Sequence, residues 1–138
     1  ERGDRASPTG GGTVPGVQPT DAPRPMTCVF CKIASGEIPT NFVYEDELVV
    51  AFRDIRPLTQ SHVLVVPKAH VVSMWELDDP ALAGALLQAC AEVARLEGLE
   101  EGFRVITNAG KHGRQEVLHL HLHVVGGQPL GRMLADLE

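Results

Sequence analysis

His119, His121 and His123 alternate with Leu118, Leu120, Leu122 and Val124 in the run VLHLHLHVV. On a strand, residues i, i+2 and i+4 share a face. Three imidazoles are therefore expected on one side, with successive Cα atoms about 7 Å apart. The leucines and Val124 are expected on the other side, against a core. Half of the chain's six histidines fall in these five positions. A merely solvated strand face has Thr, Lys and Glu to draw on, so this density reads as chemistry. Two chemistries use such a face. Neutral imidazoles bind zinc, and His-x-His is a good start for a metal site. Imidazole is also a nucleophile toward phosphorus. Its ordinary pKa of about 6.5 leaves it largely neutral at pH 7. The outer two histidines would lie about 13 Å apart at Cα. That is a long reach for one ion, so the strand favours the nucleophile over a three-histidine zinc hydrolase.

Two further clusters stand out. Asn108-Ala109-Gly110-Lys111-His112-Gly113-Arg114-Gln115-Glu116 is a polar, glycine-containing turn that leads into the histidines. Such a turn directs backbone N–H groups, Asn108, Gln115 and Arg114 toward an oxyanion. Cys28-x-x-Cys31 has a zinc or redox spacing, and no thioredoxin-like unit accompanies it. Cys90 lies in an apolar helical stretch and reads as an inert buried thiol.

The elements that hold these residues are legible in outline. Residues 1–25 are rich in Gly and Pro with little to bury, and read as a disordered N-terminal tail or an added extension. Met26 follows directly as a candidate start, and residues 26–138 form one domain. CVFCKIASGEIP predicts a short helix stopped by Gly36 and Pro39. FVYE, LVVAFRD and SHVLVVPK predict three strands. Asp79 and Pro80 are an N-cap and first helical residue. Leu82, Leu86, Ala89, Val93 and Leu96 then form one stripe on a helix ending near Gly98. FRVITN and the histidine run are the last strands. The order predicts an α+β fold: an antiparallel five-stranded meander with one long and one short helix on one face.

Composition narrows the function. The 138 residues are 43% hydrophobic, 22% charged and 4% aromatic, with a net charge of −6. The acidic balance argues against a nucleic-acid backbone binder, and no apolar run is long enough for a membrane span. A single nucleotide remains compatible. Three cysteines, with no secretory apolar region, point to a cytoplasmic protein without a disulfide framework. No GxGxxG or Walker loop is present.

HGRQEVLHLHLHVVGGQPLGRMLA resembles the signature of the histidine triad (HIT) superfamily. Gln115-Glu116-Val117 and Gly126-Gly127 resemble its Hint branch, bacterial type. The resemblance covers residues 28–134, including VYEDELVVAFRDIRP and SHVLVVPKAH. It implies a homodimeric, HIT-like hydrolase of purine nucleoside 5′-phosphoramidates, an adenosine 5′-monophosphoramidase acting on AMP or GMP conjugates. His121 would be the nucleophile, forming a nucleotidyl-histidine. His123 would contact the phosphate, and His119 with His62 would form a relay. Asp54 would bind the ribose hydroxyls. Phe30, Ile33, Phe52 and Ile55 would line the purine pocket. Asn108, Gln115 and the Glu116 backbone would hold the phosphate. Some bacterial relatives bind structural Zn2+ with residues matching Cys28, Cys31, His70 and His119, which competes with a relay role for His119. Arg114 departs from the common second glycine, and the C-terminal QPLGRMLADLE lacks a Trp. A dinucleoside polyphosphate hydrolase and a non-catalytic purine nucleotide-binding scaffold are the alternatives.

Overall fold

The computed structural model describes residues 27–134. The tail assigned to residues 1–25 lies outside the described residues, as do Met26 and residues 135–138. Helix α1 (Val29–Ala34) is followed by strands β1 (Phe42–Glu45), β2 (Val49–Arg53) and β3 (Ser61–Pro67). A 3-10 turn (Met74–Glu76) leads to α2 (Pro80–Leu96), then β4 (Phe103–Ile106) and β5 (Leu122–Gly126). The sheet is five-stranded and antiparallel, in the order β1-β2-β3-β5-β4.

That order corrects the simple meander. The chain zigzags through β1, β2 and β3. The α2 crossover then carries it past the position beside β3 to the edge, and β5 returns into the gap. The histidine-bearing strand is thus internal, paired to β3 on one side and β4 on the other. A central strand has no slack in its ladder, which suits a residue that must be held still.

The helices also divide between the two faces instead of sharing one. Val49, Ala51, Val63, Val65, Leu122 and Val124 point to α2, which contributes Leu82, Leu86, Ala89, Cys90 and Val93. Val50, Phe52, Leu64 and Val66 point the opposite way and meet α1 through Phe30 and Cys31. The uninterrupted apolar runs of β2 and β3 follow from this, because both faces are covered. Val29 turns outward from α1.

α2 begins and ends where its residues demand. Asp79 Oδ1 accepts from the Ala81 and Leu82 N–H groups at 2.9 and 3.4 Å. Gly98 has φ +72 just past the end, and the Leu99 N–H reaches the Ala94 carbonyl, a Schellman-type stop. Burial pushes the Cys90 thiol up to about 11, as expected of an inert core cysteine.

The histidine run is less regular than a full strand. β5 starts only at Leu122, so His119 and His121 sit in the irregular segment that leads into it, with a bend at His119. Leu120, Leu122 and Val124 enter the core, but Leu118 is 61% exposed. The β3–β5 ladder ends at Val65 and Leu122, and the Leu120 N–H bonds to the Val71 carbonyl instead.

Leu86 is buried to 1% exposure in the α2 face of the core. Leu86→Ala is expected to cost about 3 kcal/mol and Asp79→Ala about 1 kcal/mol, both read from denaturant unfolding midpoints at unchanged slope.

Candidate active site and metal centre

Each imidazole of the run has a neighbour that fixes its proton. A carbonyl oxygen only accepts, so a ring nitrogen bonded to it must carry the hydrogen. His119 Nε2 lies 2.9 Å from the Pro67 carbonyl and therefore donates, leaving the lone pair on Nδ1. His121 Nδ1 lies 2.7 Å from the His119 carbonyl and donates to it, so the lone pair of the neutral ring is on Nε2. The Thr107 hydroxyl donates to the His121 carbonyl at 2.7 Å, pinning the backbone there.

His62 and His123 form a second chain of bonds. The Leu58 N–H donates to His62 Nδ1 at 3.1 Å, so His62 Nε2 carries the hydrogen. It donates to His123 Nδ1 at 2.9 Å. His123 therefore presents Nε2–H outward, and its ring lies 5.0 Å from that of His121. A nucleophilic nitrogen and an N–H donor stand side by side.

His119 looks elsewhere. Its Nδ1 lies 3.4 Å from Cys28 Sγ, 3.6 Å from Cys31 Sγ and 3.2 Å from His70 Nδ1. His70 Nδ1 is 3.2 Å from Cys31 Sγ. These four ligand atoms all lie within 4.8 Å of one another. A tetrahedral ion with Zn–S near 2.3 Å and Zn–N near 2.0–2.1 Å would separate S from N by roughly 3.5 Å and N from N by roughly 3.3 Å. The donor set fits a metal in both chemistry and spacing. Among the described residues, the three histidines of the run do not form one metal-sized group. His119 clusters with Cys28, Cys31 and His70, and His123 with Asp54 and His62. That arrangement removes the geometric basis for a three-histidine zinc hydrolase.

The ring of His119 faces this thiol cluster, and its carbonyl is what touches His121. The ring of His62 reaches His123. The expected relay of His119 and His62 onto His121 is therefore not seen as side-chain contacts. Phe30 stands between the two clusters, with its ring edge-on to His119, His121 and Phe52 at centroid distances of 5.8, 5.1 and 5.7 Å. Ile33 packs partly buried against the same group. Ile55 does not join them and is 92% exposed. Asp54 does two things: Oδ1 accepts from the Arg56 N–H at 2.9 Å in a turn, and Oδ2 faces His62 Nε2 at 3.5 Å.

The turn at 108–116 flanks the histidines. Ile106 pairs with His123 just before it. Gln115 is not a free phosphate donor. Its Nε2 donates to the Val72 and Val117 carbonyls at 2.6 and 3.1 Å, and its Oε1 accepts from the Gly110 N–H at 3.0 Å. Gly113 is required, because a Cβ there would lie 2.6 Å from the Ala109 carbonyl oxygen. Asn108 is half-buried and its carboxamide makes no hydrogen bond among the described residues. Arg114 is the one non-glycine at positive φ among them, at +63. That conformation costs a side-chain-bearing residue roughly 1 kcal/mol.

Comparison with known proteins agrees with this geometry. The HIT domain family model matches residues 35–130. The chain belongs to the HIT family. A purine nucleoside phosphoramidase of Escherichia coli (strain K12) is 42% identical over 110 residues, covering 78% of this chain and 92% of the relative. A 14 kDa zinc-binding protein of Brassica juncea is 42% identical over 106 residues, covering 74% and 94%. A solved histidine triad protein from Clostridium difficile superposes with TM-score 0.76 at 42% identity, covering 80% of this chain and 99% of that one.

Within this HIT chain, the groups that sequence reasoning missed are mostly backbone: the carbonyls of Pro67 and His119 and the N–H of Leu58. Every residue has such groups, so no residue type marks them. Thr107 and Trp75 were also missed. The Trp75 ring lies 3.0 Å from where a Gly110 Cβ would stand, so it braces the turn.

Burial holds the rings neutral. It pushes His119 and His123 down to about 4, with the neighbouring histidines adding to the effect. Burial also lowers His62, partly offset by Asp54, and it lowers His70. An unfolded chain protonates these rings near 6.5. Between about 4 and 6.5 the unfolded state binds more protons, so stability rises with pH across that window. Thermal melts in chelator should show stability falling steadily as pH drops from 6.5 toward 4, and His123→Asn should flatten the slope.

Proposed function

We propose that this protein is a purine nucleoside phosphoramidase, releasing AMP or GMP from conjugates in which an amine is bonded to the α-phosphorus. The observation that carries the reading is the bond from His121 Nδ1–H to the His119 carbonyl. It leaves His121 Nε2 as a fixed, unprotonated nucleophile beside an N–H donor on His123. The activity named for the Escherichia coli relative supports the same substrate class.

In this reading Phe30, Ile33 and Phe52 take the purine, and Ile55 closes over it from its exposed position. Asp54 Oδ2 accepts from the ribose hydroxyls. Asn108, the Glu116 N–H and His123 Nε2–H donate to the phosphate. A P–Nε2 bond forms on His121 as the P–N bond breaks, and the nitrogen takes a proton from solvent so that it leaves as a neutral amine. The cationic ring is stabilised by its bond to the His119 carbonyl. Water then cleaves the P–Nε2 bond. His119 and His123, neutral at pH 7, add no positive charge beside the attacker.

The metal is proposed to be Zn2+, held by Cys28, Cys31, His70 and His119. Four protein ligands leave no open position, so the ion is structural. It would anchor α1 to the segment that carries His121. The zinc-binding relative supports this choice of metal. A homodimer is supported by β4, an edge strand with Phe103, Val105 and Ile106 partly exposed, and by exposed Leu87 and Leu96 on α2. None of the three cysteines is in a disulfide, and no helix among the described residues is long and apolar enough to cross a membrane.

Hydrolysis of adenosine 5′-phosphoramidate tests the reading. Wild type should release AMP, and His121→Ala should lose about a thousandfold or more in kcat/KM, as expected for a missing nucleophile. Its zinc content should be unchanged. Loss of metal together with activity, or faster cleavage of a dinucleoside polyphosphate, would reject the assignment. Light scattering should give twice the chain mass.

A further inference from the structure

The loop from Gly110 to Gln115 is built more firmly than a connection needs. The Arg114 N–H bonds to the Lys111 carbonyl and the Gln115 N–H to the Gly110 carbonyl, each at 3.0 Å. The Gln115 side chain ties the same loop to Val72 and Val117. Trp75 packs on its glycine corner. On this rigid frame stand Lys111, His112 and Arg114, all exposed. Their side chains make no hydrogen bond or ion pair among the described residues. The loop itself has no carboxylate, and Glu116 follows it. In a chain of net charge −6, such a group of unpartnered cationic and titratable side chains is out of character with the whole. Arg114 holds φ +63, a conformation glycine takes freely. Its side chain, not its backbone, is what an arginine adds there.

The topology places the loop beside the histidines. In the order β1-β2-β3-β5-β4, the apolar cluster with Phe52 lies on the β2 side of the histidines. The loop leaves β4 on the other side, directly after Ile106, which pairs with His123. A nucleotide with its base at Phe30 and Phe52 and its phosphorus at His121 directs its remaining substituent toward the loop.

We infer that Arg114 is a specificity residue for an anionic leaving group, an amine that carries a carboxylate or phosphate. Lys111 supplies the surrounding field. The inference rests on the phosphoramidase reading and adds the chemistry of the departing amine. A guanidinium suits either anion because its fork pairs with two oxygens.

The test compares three AMP conjugates joined through P–N bonds. One carries 3-aminopropanoate, one carries its neutral amide and one carries O-phosphoethanolamine. Wild type is expected to favour an anionic conjugate over the neutral amide by about tenfold in kcat/KM, the scale of one charge contact near a surface. The larger of the two anionic ratios identifies the anion. Arg114→Gly should lower that ratio at least about fivefold, while Arg114→Lys keeps part of it. Raising salt to about 0.5 M should shrink the ratio in wild type. Glycine accepts φ +63, so the variant's melting temperature should be equal or higher, which separates this effect from misfolding. Equal cleavage of all three by wild type would overturn the inference and leave the phosphoramidase reading intact. A parallel drop on all three in Arg114→Gly would also overturn it, placing Arg114 on the shared phosphate. Wild type that cleaves none of them would remove both.

Discussion

His119 is bonded at both ends, and the two bonds point to different clusters. Its ring donates from Nε2 to the Pro67 carbonyl, which turns Nδ1 toward Cys28, Cys31 and His70. Its own carbonyl accepts from His121 Nδ1, which turns His121 Nε2 outward. One residue therefore joins a thiol and imidazole cluster to a nucleophilic imidazole. Tautomers are set here by carbonyl groups of the scaffold, which do not titrate. The orientation of each ring therefore does not depend on the charge of a partner.

The fold makes those bonds possible by ending two elements at the same place. β3 stops at Pro67, which has no N–H to continue a ladder, and its carbonyl is then available to a ring. β5 begins only at Leu122, so His119 and His121 have left regular pairing while His123 has not. Leu120 still enters the core at 1% exposure. The segment is thus held by an apolar anchor between two histidines and by side-chain bonds in place of a ladder. Phe30 fills the space between the clusters, and its helix is tied down by the cysteines that flank it.

The division of the sheet's two faces explains where chemistry was possible. α2 closes one face with aliphatic side chains and the inert Cys90 thiol. The other face is covered by a six-residue helix, α1, which leaves the ends of β5, β3 and β2 partly open. Polar groups gather in that opening, where each finds a partner: His62 with His123, Asp54 with Arg56 and His62. The turn at 108–116 forms the far wall and is fixed by its own glutamine.

Much of this was legible in the residues. Period-two alternation put three imidazoles on one side of the chain, and Asp79-Pro80 with a four-three apolar stripe marked the start of α2 and its end to within two residues. Cys-x-x-Cys with a distant histidine marked a metal-like set through family resemblance. These features depend on side-chain type and local spacing, which a sequence states directly. The order of β4 and β5, the placing of α1 on the face opposite α2, and the outward turn of Leu118 and Ile55 were decided by packing among segments far apart in the chain. So was the role of His119, whose ring belongs to one cluster and whose carbonyl belongs to the other. Backbone carbonyls are common to every residue. Only the tertiary structure determines which of them meets an imidazole, and that choice decides which nitrogen is left free to react.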